Sequence, residues 1–376
     1  MNRELSKKNL QKVVQAETLD NLSIDEIISF FQKEKGIADF APDGTCRVDP
    51  RDGSMVIFNP KRAKRPHDNR TDTPSTAAPQ TKPCPICDGN TTGVVDVADL
   101  SEGTTFINKN LFPCVYPFDV STASLHTPPN EQDGLGTMGL HFLQWTSSHH
   151  DKDFHNMDIA DLAIVLKRLG ALEQRLLEHD SPNWPDTSSW HEGRKTRGFV
   201  SVIKNVGAPV GGSLSHGHQQ LVYSNVMPTQ TYNNWRFKRE TGTFFSTYIR
   251  DTIPKALLVK ELPTAVLLVP PFMRRPYNTI LAVKNPRPQY LFDLNDTERQ
   301  DVAFGWSRMA AAFRDMLPRM GRDIAYNVLV HTGPGAGIYI EFLPFTQEMG
   351  GYEQLGLWVC QDDPNDAAAV LRTYFE

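Results

Sequence analysis

The sequence predicts an α+β fold in which one unit is used twice, with a short extension ahead of it. Two observations carry this. The order strand, capped helix, strand, glycine turn, strand occurs twice, roughly 120–130 residues apart. Both helical segments repeat apolar residues at three-to-four spacing, which gives each a single face to bury.

Residues 1–45 form the extension, within which Ser23 and Glu26 make a capping box that opens a short amphipathic helix, IDEIISFFQKE. SMVIFN then reads as a strand closed by proline. Residues 66–83, rich in Pro and Thr, read as a surface loop. TTFIN, LFPCVYPF and GLHFLQWTS read as strands. Asp158 caps a helix that runs to about His179, with Leu162, Val165, Leu166, Leu169, Leu172 and Leu176 on one face and Gly170 as its weak point. GFVSVIKN is a strand, VGAPVGGSLS a glycine-rich turn and HGHQQLVYSN a strand. In the second half AVLLVPP and NTILAVK are strands. Asp296 caps a helix from Thr297 to about Leu317, with Val302, Trp306, Met309 and Phe313 on one face. IAYNVLVH, TGPGAG and IYIEFLPF repeat the strand, glycine turn and strand. The seam falls in the polar and aromatic stretch around 225–260. The division expected is therefore 1–45, 46–228 and 229–376.

Composition excludes several classes. Of 376 residues, 39% are hydrophobic and 22% charged, which rules out a largely disordered chain. The formal charge of −5 gives no global pull toward nucleic acid or an anionic membrane, so an anion site has to be local. The run KRAKRPHDNR is the sole basic cluster, and no nucleic-acid partner is expected. No apolar run reaches the ~18 residues of a membrane span, and the N-terminus lacks the apolar core of a secretory signal. Five cysteines are too few and too odd a number for a disulfide scaffold; a reducing, cytoplasmic setting is expected.

The most informative stretch is Lys204–Tyr223. His216 and His218 stand at i and i+2, with Gln220 on the same strand face. Just ahead are Gly207, Gly211, Gly212 and Ser213, whose backbone N–H groups suit phosphate oxygens. No Gly-Lys-Ser/Thr follows, so this is not a Walker loop. Read blandly, it is a hairpin with a polar wet face. Cys84 and Cys87 have the spacing of a zinc half-site, and equally of a redox pair or two buried thiols.

Taken together, Asn205, Gly207, Gly211, Ser213, His216, His218 and Gln220 resemble the active-site motif of the galactose-1-phosphate uridylyltransferase branch of the histidine-triad superfamily. Gly217 stands where that motif has proline. Asn59–Pro66 is similar to the family segment whose two arginines, here Arg62 and Arg65, contact substrate phosphates. Lys109–Pro113 resembles the element that lines the nucleoside pocket, through Asn110 and Phe112. Val269-Pro270 with Pro276–Thr279, and the loop Gly350–Glu353 with Tyr352 near the acceptor, extend the resemblance over roughly 49–376.

The resemblance implies two tandem histidine-triad-like units, each a mainly antiparallel sheet with a packed helix, the second degenerate. It implies a ping-pong nucleotidyltransferase in which His218 carries the nucleotide. Gln220 and Ser213 would serve the phosphoryl group, and Asn205, Gly211 and Gly212 the substrate. A nucleoside-diphosphate sugar would be the donor, a sugar 1-phosphate or inorganic phosphate the acceptor, and a homodimer the assembly. One structural zinc is implied, held by Cys84, Cys87, His216 and His150, with neighbouring His149 the alternative to His150. Glutamine at 220, where the phosphoramidate hydrolases of the superfamily carry a third histidine, argues for transfer. The family's second, iron-type site keeps only His331 here, because Tyr339 and Glu341 replace its histidine pair; no second metal is expected. Gln347 stands where the galactose enzyme has an acceptor-loop lysine. This loop resembles the nucleoside-diphosphate-sugar phosphorylases more closely, such as the ADP-glucose phosphorylases. Against these stand a zinc-braced nucleotide-binding protein without catalysis, and a hydrolase of nucleoside diphosphate derivatives.

Overall fold

A computed structural model describes residues 3–42, 44–65, 84–118, 135–182, 184, 189–191 and 194–376. The loop expected over 66–83, including Pro66 of the arginine segment, lies outside the described residues. The strands, in chain order, are β1 (Thr45–Val48), β2 (Met55–Ile57), β3 (Val94–Asp99), β4 (Thr104–Lys109), β5 (Leu135–Gly136), β6 (Gly139–Trp145), β7 (Ser189–His191) and β8 (Arg194–Thr196). They continue with β9 (Phe199–Val206), β10 (His218–Ser224), β11 (Leu258–Glu261), β12 (Ala265–Leu268), β13 (Thr279–Val283), β14 (Tyr326–His331) and β15 (Tyr339–Pro344).

Ten of them form one antiparallel sheet in the order β11-β12-β13-β15-β14-β9-β10-β6-β4-β3. The order exposes the duplication. β3-β4-β6-β10-β9 in the first half and β11-β12-β13-β15-β14 in the second follow the same path, and the halves join where β9 pairs antiparallel with β14. At that seam Asn205 faces Asn327 and accepts a hydrogen bond from its amide at 2.7 Å.

Each half has one long helix, Ile159–Leu177 and Asp296–Arg319. Their apolar stripes, including Leu162, Leu169, Leu176, Trp306 and Phe313, enter a single core with Val202, Leu221, Val328 and Phe342 of the sheet. Each leucine so buried is worth about 1.5–3 kcal/mol. Gly170 has a packing reason: a Cβ there would lie 3.0 Å from the Phe292 nitrogen, so the residue lets the 291–293 turn approach. Asp158 occupies the N-cap position without a side-chain capping bond, whereas the second helix is capped by Asn295, not Asp296. Asn295 and Glu298 close a reciprocal box, which satisfies the backbone N–H groups of both residues at that terminus.

Three further expectations change. LFPCVYPF forms no strand, since Pro113 and Pro117 lack the N–H that a ladder needs. The 225–260 stretch holds two helices, Thr229–Thr241, whose weak apolar periodicity hid it, and Phe245–Thr252, which is only eight residues long. The N-terminal segment is no appendage. Leu19, Ile24, Ile27 and Phe31 belong to the main core, and Leu5 and Leu10 pack with Cys84, Ile86 and Trp145. Backbone bonds from Gln15 and Val94 run this segment along β3, covering what would otherwise be an open sheet edge. Among the described residues, no helix is long and apolar enough to cross a membrane.

Phe31 is fully buried and meets Phe142 edge to face at 5.0 Å. Phe31→Ala should therefore lower stability by about 3–5 kcal/mol. A urea midpoint equal to that of the parent would return the segment to the status of an appendage.

Candidate active site and metal cluster

The candidate site forms where β10 leaves the glycine turn. β10 begins at His218, so His216 lies in the turn ahead of it. β10 pairs with β6 in a register that sets His218 opposite Trp145 and Gln220 opposite Leu143. His218, Gln220 and Ser213 line a cavity of about 500 Å³ together with Arg65, Asn110, Phe112, Trp145, Pro85 and Ile86. That volume suits a small ligand. Trp145 supports the His218 ring at a centroid distance of 4.8 Å.

The ring of His218 is fixed by the backbone. Its Nδ1 lies 2.9 Å from the His216 carbonyl oxygen, an acceptor, so Nδ1 carries the proton and the neutral ring has its lone pair on Nε2. The carbonyl of His218 accepts in turn from the Lys204 ammonium at 3.0 Å. Lys204 is buried and paired with Asp153 at 2.8 Å. Burial alone would raise the Asp153 carboxyl, but the Lys204 charge and hydrogen bond bring it below the usual range.

This pair explains the missing proline of the motif. A Cβ at residue 217 would lie 2.5 Å from Cγ of Asp153, so the carboxylate occupies the space that a side chain needs. Glycine is required because the buried ion pair packs directly beneath the loop. The Gly217 carbonyl also accepts from the Thr146 N–H at 3.0 Å.

Beside the cavity, Cys84, Cys87, His150 and His216 bring their ligand atoms within 4.8 Å of one another, the one such cluster among the described residues. The Sγ–Nδ1 distances are 3.7 Å for Cys84–His216, 3.7 Å for Cys87–His216 and 3.6 Å for Cys87–His150. A tetrahedral ion with bonds of about 2.3 Å to sulfur and about 2.0–2.1 Å to nitrogen requires S···N edges of about 3.6 Å. His216 Nε2 donates to the Ser147 carbonyl at 2.8 Å, which turns Nδ1 toward the cluster. Burial pushes His216 down to about 4, which keeps it a neutral ligand. Burial and the Cys84 sulfur push the Cys87 thiol up to about 12, so a cation is what would let both sulfurs ionise. The donor set is compatible with one zinc. His149 is engaged elsewhere, 3.2 Å from Glu4, and it is His150 that joins the cluster.

The remaining sequence-predicted residues divide. Arg65 lines the cavity, and its Nε is buried without a hydrogen-bond partner, an unmet donor at the cavity wall. Arg62 instead donates to the Phe112 carbonyl and is not among the lining residues. Gly211 and Gly212 shape the loop without lining the cavity, and Asn205 lines a second cavity that also takes in His216 and His218. Tyr352 is 64% exposed on the 351–354 turn, away from both. Gln347 is buried, donating to the Val359 carbonyl and accepting from the Gln361 N–H, so both ends of its amide are used within its own loop. At the positions of the family's second metal site, which was not expected to persist here, His331 Nε2 meets Glu341 at 2.7 Å and the Tyr339 hydroxyl donates to Asn234.

The sequence reading missed Glu34 and His141, and it took Lys109 only as part of the 109–113 element. Glu34 reaches the cavity from the N-terminal segment, anchored by the Gly93 N–H at 3.1 Å and the buried Lys109 ammonium at 2.8 Å. His141 lies on the same face of β6 as Leu143 and Trp145, an alternation visible in GLHFLQW once the facing strand is known.

No protein-family model matches the chain. An ADP-glucose phosphorylase of Arabidopsis thaliana is 23% identical over 348 residues, 87% of this chain and 92% of that protein. A galactose-1-phosphate uridylyltransferase of Saccharomyces cerevisiae is 21% identical over 317 residues, 79% of this chain and 80% of that one. Among solved structures, a uridylyltransferase superposes with a TM-score of 0.66 at 17% identity, over 88% of this chain and 98% of its own. An ADP-glucose phosphorylase from Arabidopsis thaliana with bound ADP-glucose gives 0.61 at 21% identity, over 87% and 98%. These two structures share the fold.

Gly217→Ala should cost about 1–3 kcal/mol, because Asp153 has to move to admit the methyl group. Urea unfolding checks this. Unaltered stability would mean that the ion pair does not dictate glycine there.

Proposed function

This chain belongs to the galactose-1-phosphate uridylyltransferase-like family, and on that premise we propose that it is a nucleotidyltransferase working through His218. It moves a nucleoside monophosphate from a nucleoside-diphosphate sugar to inorganic phosphate or a sugar 1-phosphate. The observation that carries this reading is the Nδ1 bond of His218 to the His216 carbonyl, beside a cavity that also holds Gln220, Ser213 and Arg65.

In the first half-reaction the Nε2 lone pair attacks the α-phosphorus. The new N–P bond forms as the bond to the bridging oxygen breaks, and a sugar 1-phosphate leaves. That leaving group has a second pKa of about 6, so it needs no general acid. The imidazole becomes cationic while keeping its Nδ1 proton, and the His216 carbonyl that accepts it stabilises the developing charge. In the second half-reaction an acceptor phosphate oxygen attacks phosphorus, the N–P bond breaks and neutral His218 returns. Arg65 and the Gln220 amide supply charge and hydrogen bonds to the phosphoryl oxygens.

Zinc in the Cys84–Cys87–His150–His216 cluster would act structurally, fixing the turn whose carbonyl orients His218. A homodimer accounts for Tyr352, whose exposed loop would complete a second copy's cavity. An adenine nucleotide and inorganic phosphate are favoured over uridine and galactose 1-phosphate. The Arabidopsis ADP-glucose phosphorylase matches more of the chain at higher identity than the yeast uridylyltransferase does.

Incubation with ADP-glucose or UDP-glucose and no acceptor should leave a nucleoside monophosphate on His218, readable by mass and labile to acid. His218→Ala should abolish both adduct and turnover. An adduct on His216, or undiminished turnover in the variant, sinks the assignment, and rapid loss of the adduct to water would favour the hydrolase.

Freshly purified, unchelated protein should carry one zinc per chain and no stoichiometric iron by elemental analysis. Cys84→Ser should lower the melting temperature more than it lowers the rate of adduct formation. Metal-free protein of full stability would remove the bracing role.

A further inference from the structure

We infer that His141 is a positioning residue that locks the Gln220 side-chain amide with its NH2 group toward the phosphoryl position. This rests on the proposed transfer chemistry. The evidence lies in one buried hydrogen-bond chain. Nδ1 of His141 accepts from the backbone N–H of Cys114 at 3.2 Å, which assigns the imidazole proton to Nε2. Nε2 lies 3.1 Å from Oε1 of Gln220 and donates to it.

The amide of Gln220 has two faces of opposite polarity. With Oε1 occupied by His141, the NH2 group is left to serve the cavity that Gln220 lines. Reversed, the amide would present its carbonyl oxygen to phosphoryl oxygens, and the interaction would become repulsive. Rotation of a terminal amide is otherwise nearly free, so a donor placed on its oxygen is what selects the useful orientation.

His141 is well suited to this task because it keeps one protonation state. It is 1% exposed. Burial first, and then the Arg62 charge, push it down to about 3, with Arg65 and His218 acting in the same direction. Arg62 thus acts behind the site, on the partner of Gln220.

The nearby amide of Asn110 faces the same nitrogen as a competitor, not as a partner. Its Oδ1 accepts from the Phe112 N–H at 2.9 Å, which places Nδ2 3.1 Å from His141 Nε2. Only one tautomer satisfies both the Cys114 and Gln220 bonds, and it is the one that leaves the Asn110 contact without a hydrogen bond. His141 therefore sits between a side chain of the nucleoside end and one of the phosphoryl end.

The test is a double-mutant cycle read in single-turnover adduct formation, with whichever of ADP-glucose and UDP-glucose labels the parent protein. Gln220→Ala and His141→Phe should each slow the step by about 10²-fold. Because they remove one interaction, the double variant should be slower than either single by no more than about threefold. His141→Gln, which restores a donor at similar reach, should recover the rate to within about tenfold of the parent, with donor affinity little changed throughout. Multiplicative losses approaching about 10⁴-fold would show that His141 supports folding alone, and would overturn the inference. A second measurement needs neither turnover nor a variant. In 15N-labelled parent protein, long-range proton–nitrogen correlation should show His141 as the neutral Nε2–H tautomer down to pH 5. The Nδ1–H tautomer, or titration above pH 5, would contradict the inference. Failure of the parent to form any adduct would instead count against the transfer chemistry and leave this second readout decisive.

Discussion

The carbonyl oxygen of His216 is the atom on which the site depends. It accepts the Nδ1 proton of His218 and so decides which nitrogen of that ring carries the lone pair. Three structures hold that carbonyl still. The imidazole of the same residue belongs to the Cys/His cluster, the next carbonyl is bound by Thr146, and the next is bound by Lys204. A peptide segment held at each of these units resists rotation, and with Trp145 against the ring it keeps the His218 imidazole in one orientation. The cost is sequence freedom at residue 217, where Asp153 tolerates no Cβ.

Duplication supplied the frame and specialisation broke its symmetry. Both halves follow the same strand path, and both place a polar strand beside a glycine turn. In the first half those positions carry His216, His218 and Gln220 around a cavity. In the second, Tyr339 and Glu341 turn to Asn234 and His331 and satisfy one another. Five strands joined to five along β9 and β14 bury both long helices against one core, so the second half stabilises the platform on which the first presents its groups.

Much of this was legible in the sequence because its signals are local. Apolar stripes on the two helices and the alternation from His218 to Gln220 each follow from a single segment and stand in the structure as read, whereas His216, read as part of that strand, lies in the turn ahead of it. The position of His150 came from a resemblance, and the geometry separates it from His149. What stayed hidden depends on segments far apart in the chain. His141 acquires meaning only through the register of β6 against β10, and Glu34 only because the N-terminal segment folds back on the cavity. Gln347 stands by position where the galactose enzyme has an acceptor-loop lysine, and only the folded chain shows that its amide is used within its own loop. Tyr352 is exposed and lines neither cavity of the site, which its place in the sequence did not reveal.

The most direct measurement of the central claim is isotope exchange without the second substrate. With labelled glucose 1-phosphate and unlabelled ADP-glucose, and no inorganic phosphate, a covalent nucleotidyl-histidine requires label to appear in ADP-glucose, and requires that exchange to vanish in His218→Ala. Turnover with phosphate but no exchange in its absence would mean direct transfer between bound substrates, and would contradict a nucleotide carried on His218.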